Sequence, residues 1–447
     1  MSLFHNQQYF LSTPRWYSYG GMFMSIFLAV NLANHYGKRL VMFYPEKHFD
    51  GRYDYPGLLN RELRRLVVGR QLFSANSFFQ KSVAVWLDFN RSICRIGVLH
   101  RIISRLCRLF RLARENVFPF YLGYTGLEDL DGVRRHLGIP ESVDWGAVLA
   151  TPVTIDLTED QKHRGRAILH KMGIPAESPF VCLYVRDAGF ESRRSTNRFT
   201  WENANIVNVS PAIAFLESRG FHIVRVGDPS MLPFEMEGST FIDYVHSDHY
   251  CNVMDLYLYR HCEFWVTTGG GTQAAAVAYG RPCVVINGTD LASWAFCVYV
   301  DRGDVFLPKH VFSTQNCRFL SLQEQLEKID ILCRSKWDDR NYVFVQNTPI
   351  EICTAVKEYH SSTYEGEFDW NTDLQEQFHV LHQRRTYDSF YDPFIEEWDQ
   401  PERECCAHSK PHVSKEFLEN CWENTDYLAA LSDHYNVHNS LEGFNPT

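Results

Sequence analysis

A run of three glycines is the first feature of the sequence that points to chemistry. It separates an apolar segment, 262–268, from a segment rich in alanine, an order typical of a β-strand that turns into an α-helix. The free backbone N–H groups at the start of a helix favour an anion, and glycine lets a ligand approach the backbone closely. A tight turn between strand and helix would explain the same glycines. The residues concerned are Thr268, Gly269, Gly270, Gly271, Thr272 and Gln273.

Arg186 is the second candidate, at the end of the apolar segment FVCLYVR, 180–186. In a parallel sheet it would lie on the same edge as the glycine run, because ligands bind beyond the carboxyl ends of the strands. Its guanidinium could hold a diphosphate with two hydrogen bonds. A salt bridge to the neighbouring Asp187 is the alternative. The glycine run matches neither GxxxxGK[ST] nor GxGxxG, which disfavours an ATPase or a dinucleotide-binding protein.

Two series of alternating strands and helices predict two α/β domains with parallel sheets. The first series begins in the segment Gly20–Pro45, and a capping box at Thr158 and Gln161 starts a helix near the boundary. In the first series, the glycine pair is followed by a helix that ends at Gly37 and by a continuously apolar strand, Arg39–Tyr44, as in a parallel sheet covered on both faces. The second series alternates apolar strands of four to seven residues with helices. We predict a first domain at 1–165, a second at 166–345, and a partly helical extension at 346–447 that packs back on the first domain.

The composition is that of an ordinary globular protein of 447 residues, and its net charge of −10 argues against a general nucleic-acid binder. The 13 cysteines include no CxxC pair, which favours reduced thiols in the cytosol. We expect neither a secretory signal nor a membrane span. No metal is expected near the carboxyl end, because the spacing there matches no zinc site. The residues concerned are Cys405, Cys406, His408 and His412.

Residues 91–114 stand out in this acidic protein, because they contain seven arginines and no acidic residue. On a helix, Leu99 and Ile103 would share one face, and Arg101 and Arg105 would share the other. Such a helix could lie at the surface of an anionic membrane. The alternatives are a solvated helix packed on the domain, or a helix that receives an acidic partner or substrate.

Several segments together resemble a known family. PFVCLYVRDAGF, AIAFLESRGFHIVRVGD, FIDYV and the glycine segment are similar to glycosyltransferases of bacterial surface-polysaccharide clusters. More distantly, the chain resembles α-1,2-fucosyltransferases and protein O-fucosyltransferases, with Tyr184 where those proteins have histidine. Their first glycine loop and helix resemble YGGMFMSIFLAVNLANHYGKRL. The resemblance covers about 17–45 and 178–355.

This resemblance implies a GT-B-like α/β fold, with two facing Rossmann-like domains, and an inverting, metal-independent transferase. It implies that Arg186 binds the diphosphate and that the glycine segment covers the phosphates. The chain departs from the pattern at Asn205, where the relatives often carry an aspartate. The donor-binding candidates are Arg186, Asp187, Gly227, Asp243, Tyr244 and the residues Thr268 to Gln273 named above.

An inverting transfer needs a base for the acceptor hydroxyl, which is expected from the first domain. The loop after the first strand offers four candidates, of which Asp50 is favoured by its position, although a solvated loop is the alternative. The glycines before the first helix would let an acceptor or a donor phosphate approach it. These acceptor-side candidates are Gly20, Gly21, Glu46, His48, Asp50 and Asp54.

No metal cofactor is expected, because Arg186 and helix N–H groups can stabilise the leaving diphosphate in place of a cation. The acidic motifs DLD at 129–131 and WDD at 337–339 are not expected to bind a metal ion. The first lies in a helical-looking stretch and the second in a surface-like run. The leading hypothesis is a cytoplasmic transferase, peripheral to the membrane, that moves a sugar such as a 6-deoxyhexose from a GDP donor to a lipid-linked or growing glycan. The alternatives are a nucleotide-sugar epimerase of the same fold and a non-catalytic nucleotide- or glycan-binding module.

Overall fold

The structure of the chain, a computed structural model, divides into two compact units. These are Met1–Lys162 with Pro393–Pro401, and His163–Asp392 with Glu402–Thr447. The first boundary lies close to residue 165, where the sequence predicts it. The structure describes residues 9–13, 19–37, 39–42, 62–63, 122–123, 147–148, 150–187, 189, 202–269, 271–289, 291, 303–328, 332, 341–389 and 412–442.

The first unit contains a small parallel sheet and the helix that begins at the glycine pair. Its strands are β1 (Tyr9–Thr13), β2 (Arg39–Met42) and β3 (Leu122–Gly123), in the order β2-β1-β3. Helix α1 (Tyr19–His35) buries Phe23, Phe27 and Val30, which share one face at the spacing of a helix. Gly37 follows with a φ of +65°, the left-handed conformation that commonly ends helices. The predicted helix and strand are confirmed.

The second unit is built on a seven-stranded parallel sheet in the order β13-β9-β8-β7-β4-β5-β6. The strands are β4 (Phe180–Tyr184), β5 (His222–Arg225), β6 (Ile242–Asp243), β7 (Trp265–Thr268), β8 (Cys283–Gly288), β9 (Val305–Pro308) and β13 (His412–Val413). The central strands β4, β7 and β8 are buried along their whole length, which explains their mostly apolar sequences. The predicted α/β class with a parallel sheet is confirmed.

Helices alternate with these strands as the sequence predicts. They are α2 (Glu159–Lys171), α3 (Ser210–Ser218), α4 (Asn252–His261), α5 (Gly271–Ala278) and α7 (Pro349–His360). The predicted capping box is present, since Thr158 N donates to Gln161 Oε1 at 2.9 Å and Gln161 N donates to Thr158 Oγ1 at 3.3 Å. None of the described helices combines the length and the apolar character needed to cross a membrane.

A small antiparallel sheet follows β9. It consists of β10 (His310–Ser313), β11 (Arg318–Phe319) and β12 (Tyr342–Val345), and it is accompanied by α6 (Leu322–Glu327). The strand order is β11-β10-β12. This sheet does not follow from the sequence pattern, because its strands are short and pair antiparallel instead of alternating with helices.

The carboxyl-terminal extension adds three helices: α8 (Asp373–Ser389), α9 (Lys415–Cys421) and α10 (Thr425–Glu442). Its described residues pack on the second unit, whereas the sequence analysis expected the first. The reason is that β13 pairs in parallel with the outer edge of β9. In addition, the buried carboxylate of Glu358 accepts the backbone N–H groups of Lys415 and Glu416, both at 2.9 Å, and so caps the start of α9.

Candidate active site

The order of the strands identifies one edge of the second unit as a binding edge. From β4 the chain moves outward through β5 and β6, then returns to the other side of β4 with β7, β8 and β9. The direction of winding therefore reverses between β4 and β7. In open parallel sheets, ligands bind beyond the carboxyl ends of the strands at such a switch point. Arg186 follows β4 and the glycine run follows β7, so the two predicted phosphate-binding elements lie on either side of it.

Arg186 is held at this point by both its backbone and its side chain. Its backbone N–H donates to the Oγ1 of Thr268 at 3.0 Å, which ties the end of β4 to the end of β7. Its guanidinium donates to the carboxylate of Glu202, and both side chains are buried. The described carboxylate that Arg186 binds is thus that of Glu202, whereas Asp187, the alternative weighed from the sequence, pairs with Arg225.

Lys309 brings a second cationic side chain to the same place. It follows β9, its backbone N–H donates to Gly288 O at 2.7 Å, and its Nζ donates to Asn203 O at 2.7 Å. Only 2% of the residue is exposed. Burial lowers the pKa of Lys309 to about 7, against the opposing effect of the Glu202 carboxylate, and the charge of Arg186 lowers it further. Sequence reasoning missed both Lys309 and Glu202.

The first turn of the helix that follows the glycine run carries buried polar atoms without partners among the described residues. Thr272 and Gln273, in the first turn of α5, are 9% and 5% exposed. Thr272 Oγ1 and Gln273 Nε2 have no hydrogen-bond partner among the described residues. Buried polar groups normally have partners, so such atoms need an explanation, and a bound ligand is one. Gly270 lies outside the described residues.

The backbone conformation and the surroundings of Gly269 indicate why glycine is present at this turn. Its φ is not in the left-handed region, so its backbone conformation does not require glycine. A Cβ at this position would meet, among the described residues, only Gln273 Oε1 at 3.9 Å, which is an ordinary contact. Among the described residues, the space that a side chain at Gly269 would fill is therefore otherwise unoccupied. Gly271, the first residue of α5, is exposed.

Asn287, which sequence reasoning also missed, adds a third polar atom without a partner. It lies in β8, next to the residue that pairs with Thr268, and has a φ of +52°. Asn287 N donates to Asn347 Oδ1 at 2.9 Å, and Asn347 N donates to Asn287 Oδ1 at 2.8 Å. Its buried Nδ2 has no partner within the described chain. The only sequence signal was an asparagine at the end of an apolar strand.

The next two donor-binding candidates belong to a buried ion-pair network. Arg225, which is fully buried at the end of β5, donates to the Oδ2 of Asp187 at 3.4 Å and to the Oδ2 of Asp243 at 3.1 Å. Gly227, two residues later, has a φ of +147°, and a side chain there would collide with Met231. The fold itself therefore explains why Asp187 and Gly227 occupy these positions, without a bound ligand. Asp243 Oδ1 has no partner in the described structure, so its role in binding stays a prediction.

Tyr244 lies in the core and not at an open surface. Its hydroxyl donates to the Oδ1 of Asp255 at 2.9 Å, and Asp255 is itself buried on α4. Burial raises the pKa of Asp255 to about 7, although the hydrogen bond from Tyr244 lowers it. Burial likewise raises the pKa of Tyr244 well above its usual range. Among the described residues, the contacts of Tyr244 are therefore those of a core residue, and its predicted role in donor binding stays a prediction.

Asp255 should make stability depend on pH. Because its pKa of about 7 in the folded state exceeds its ordinary value of 3.8, folding favours the protonated form. The free energy of unfolding should fall by about 1.4 kcal/mol per pH unit as the pH rises between these two values. Urea unfolding at pH 4.5 and pH 7 should show that the free energy of unfolding falls less between these pH values for Asp255→Asn than for the natural chain. The exposed Asp248→Asn is the control, and an unchanged loss in Asp255→Asn would contradict the assignment.

The segment around Asn205 contains a carboxylate, although this chain has asparagine where the family pattern often has aspartate. Asn205 caps a 3-10 helix through its Oδ1, which accepts Val207 N at 3.0 Å, and its N–H donates to Gln346 Oε1 at 2.7 Å. The Oδ1 of Asn205 therefore makes a local capping contact. The carboxylate at the site comes from Glu202, three residues earlier, which binds Arg186.

A second buried cluster in this unit is satisfied by its own contacts. Glu351 Oε1 lies 2.8 Å from His310 Nε2 and accepts the hydroxyl of Tyr427 at 3.0 Å. Its Oε2 accepts Thr348 N at 2.7 Å and completes a capping box. These bonds connect α7 with β10 and α10. We assign the cluster a structural role.

Several predicted residues lie elsewhere or outside the described part of the chain. Gly20 and Gly21 lie in the first turn of α1, and Gly20 is buried. His412 stacks on Trp370 with ring centroids 4.8 Å apart. The residues outside the described ranges are Glu46, His48, Asp50, Asp54, 91–114, 129–131, 337–339, Cys405, Cys406 and His408.

Comparisons with known proteins give only distant likenesses. No protein-family model matches the chain, and no curated protein is significantly similar to it. Among solved structures, the chain is similar to a family 9 glycosyl transferase from Veillonella parvula, with 10% identity and a TM-score of 0.39, over 63% of this chain and 81% of that one.

Two further structures are similar at the same level. One is the ADP-heptose LPS heptosyltransferase II of E. coli, with 13% identity and a TM-score of 0.33, over 62% of this chain and 84% of that one. The other is the dodecameric iron-containing heptosyltransferase TibC in complex with ADP-D-β-D-heptose, with 13% identity and a TM-score of 0.35, over 79% and 76%. At these scores the function is argued from the residues of the chain itself.

Proposed function

We propose that the chain is a glycosyltransferase and that its second unit holds the diphosphate of a nucleotide-sugar donor between β4 and β7. One observation carries this proposal. Thr272 Oγ1, Gln273 Nε2 and Asn287 Nδ2 are buried and unpartnered at the edge where Arg186 is also fixed. Thr272 and Gln273 lie in the first turn of α5, and Asn287 follows the residue of β8 that pairs with Thr268. The N-terminus of a helix stabilises an anion.

The proposed chemistry is displacement of a nucleoside diphosphate from the sugar. Negative charge develops on the diphosphate as the bond to the sugar breaks, and fixed donors stabilise that charge without reorganisation. Arg186 and the N–H groups at the start of α5 would act on the diphosphate, while Thr272 and Gln273 would orient it. An inverting reaction without a metal ion is part of the proposal. Asp50 is proposed as the base for the acceptor hydroxyl. It lies outside the described residues, so this role stays a prediction.

The finer assignments follow from the sequence resemblance alone. The donor is proposed as a GDP-linked 6-deoxyhexose, and the acceptor as a glycan or lipid-linked glycan. Contact of 91–114 with an anionic membrane is part of the same hypothesis. An epimerase would return a nucleotide sugar with altered stereochemistry, whereas a transferase releases the nucleoside diphosphate, so product analysis separates these two enzymes.

Replacing Gly269 with alanine should abolish nucleotide binding without destabilising the fold. One of GDP, UDP, CDP and ADP, tested with EDTA present, should raise the thermal midpoint of the natural chain by several degrees at a hundredfold excess over Kd. In Gly269→Ala the midpoint without ligand should change by less than about 2 °C, because the new Cβ makes only an ordinary contact. The ligand-induced rise should disappear, because the Cβ fills the space above the backbone.

The matched control is Val380→Ala, at an exposed position on α8 in the same unit. It should keep both the midpoint and the ligand-induced rise. If no nucleotide stabilises the natural chain, the donor-site proposal fails. If Gly269→Ala binds as well as the natural chain, the glycines serve the turn and not the ligand.

A further inference from the structure

The candidate donor site contains a buried group of three charged side chains. Arg186 follows β4 and binds Glu202, and Lys309 follows β9 with its Nζ on the carbonyl of Asn203, the residue next to Glu202. All three side chains are nearly inaccessible to water. Among the described residues, this places two basic groups and one acidic group at the edge where the diphosphate is proposed to bind.

We propose that Lys309 takes up a proton when a nucleoside diphosphate binds beside Arg186, so that binding and protonation are coupled. This inference rests on the proposed function, because it assumes the donor diphosphate at that edge. Lys309 would then supply the second positive charge opposite the diphosphate. In this way the chain could neutralise a leaving group that other transferases neutralise with a divalent metal ion.

The physical reason lies in what surrounds the amine. A buried ammonium group loses its hydration, and the positive charge of Arg186 nearby disfavours a second positive charge, whereas the carboxylate of Glu202 favours it. His310, the next residue, is bound to Glu351. The hydrogen bond from Lys309 goes to a neutral carbonyl, which an amine and an ammonium can both make.

A diphosphate would change this balance. It brings at least two negative charges into a region of low dielectric, where charges interact more strongly than in water. The protonated form of Lys309 then becomes favoured, and a proton is taken from solution as the nucleotide binds. By linkage, the affinity should fall as the pH rises above about 7, by up to about tenfold per pH unit until the pKa of the occupied site is reached.

Isothermal titration calorimetry tests the coupling directly. The probe is whichever of ADP, GDP, UDP and CDP stabilises the natural chain, titrated at pH 8 in HEPES and in Tris, whose ionisation enthalpies differ. The difference in heat should correspond to uptake of about 0.9 proton at pH 8, and about 0.1 at pH 6 in buffers chosen for that pH. Lys309→Gln, which keeps a donor for Asn203 O, should bind with no uptake at pH 8. Lys171→Met, at an exposed position on α2, should behave as the natural chain.

The outcomes separate the two proposals. Binding without proton uptake in the natural chain overturns the coupling and leaves the donor site standing. Uptake that persists in Lys309→Gln overturns the assignment to Lys309. If no nucleotide binds the natural chain, both proposals fail. Should Lys309→Gln not fold, the fall in affinity of the natural chain between pH 7 and pH 9 decides, since a constant affinity contradicts the coupling.

Discussion

Replacing Arg186 with methionine should lower the rate of sugar transfer by about 10²–10³-fold, the usual loss when one fixed donor to a developing charge is removed. Release of the nucleoside diphosphate from the donor that the binding panel identifies is the measurement. The same change should destabilise the fold by about 3–5 kcal/mol, because it leaves the buried carboxylate of Glu202 without its guanidinium partner. Arg186 would therefore affect both stability and turnover, and these effects must be separated.

The double variant Arg186→Met with Glu202→Gln separates them. Removing the charge of Glu202 should restore most of the lost stability, because no uncompensated carboxylate remains in the interior. It should not restore turnover, because the donor to the leaving diphosphate is still missing. Urea unfolding and rates of product release are measured on the same three samples. Recovery of both properties in the double variant would show that Arg186 acts only on the fold.

Replacing Arg225 with methionine should lower the free energy of unfolding by about 3–5 kcal/mol, as large a loss as that expected for Arg186→Met. The guanidinium of Arg225 is fully buried between the carboxylates of Asp187 and Asp243 and donates to the carbonyl of Leu232 at 2.6 Å. Its loss leaves two like charges close together in the interior. For a domain of this size, such a loss approaches the total stability of many proteins.

The matched control is Arg219→Met in the same unit. Arg219 is 46% exposed and pairs with Glu365 at 3.3 Å. An exposed ion pair of this kind contributes at most about 1 kcal/mol, so this variant should unfold close to the natural chain. A loss below about 1 kcal/mol for Arg225→Met would contradict the assignment of Arg225 as the centre of a buried network.

The sequence predicted the second sheet well because its signals are local. Short apolar runs of four to seven residues, alternating with helices, predicted β4 to β8 and their parallel pairing. Arg186 and the glycine segment were found for the same reason, since each directly follows a strand. Helix α8 was missed because its sequence is polar and rich in glutamine, histidine and arginine.

The partners within the site could not be read from the sequence, because they come from distant parts of the chain. Lys309 reaches the site only because β9 lies two strands away from β7 in the folded sheet. Glu202 precedes a short 3-10 helix, and neither its position nor its pairing with Arg186 follows from a periodic pattern. The burial of Tyr244 could not be read from the resemblance, because a resemblance fixes residue order along the chain, while the direction of a side chain depends on the turn that carries it.

The pairing of β13 with β9 has a consequence for the nascent chain on the ribosome. His412 N donates to Asp304 O at 3.2 Å and Ser414 N donates to Phe306 O at 3.1 Å, so the outer edge of β9 is closed by residues made roughly a hundred codons later. At 5–20 residues per second, that edge stays uncovered for about 5–20 s of synthesis. During this interval it offers unpaired backbone groups to any neighbouring strand. The sheet that holds the candidate site is therefore most exposed to misassociation while translation is still under way, and chaperone demand should concentrate there.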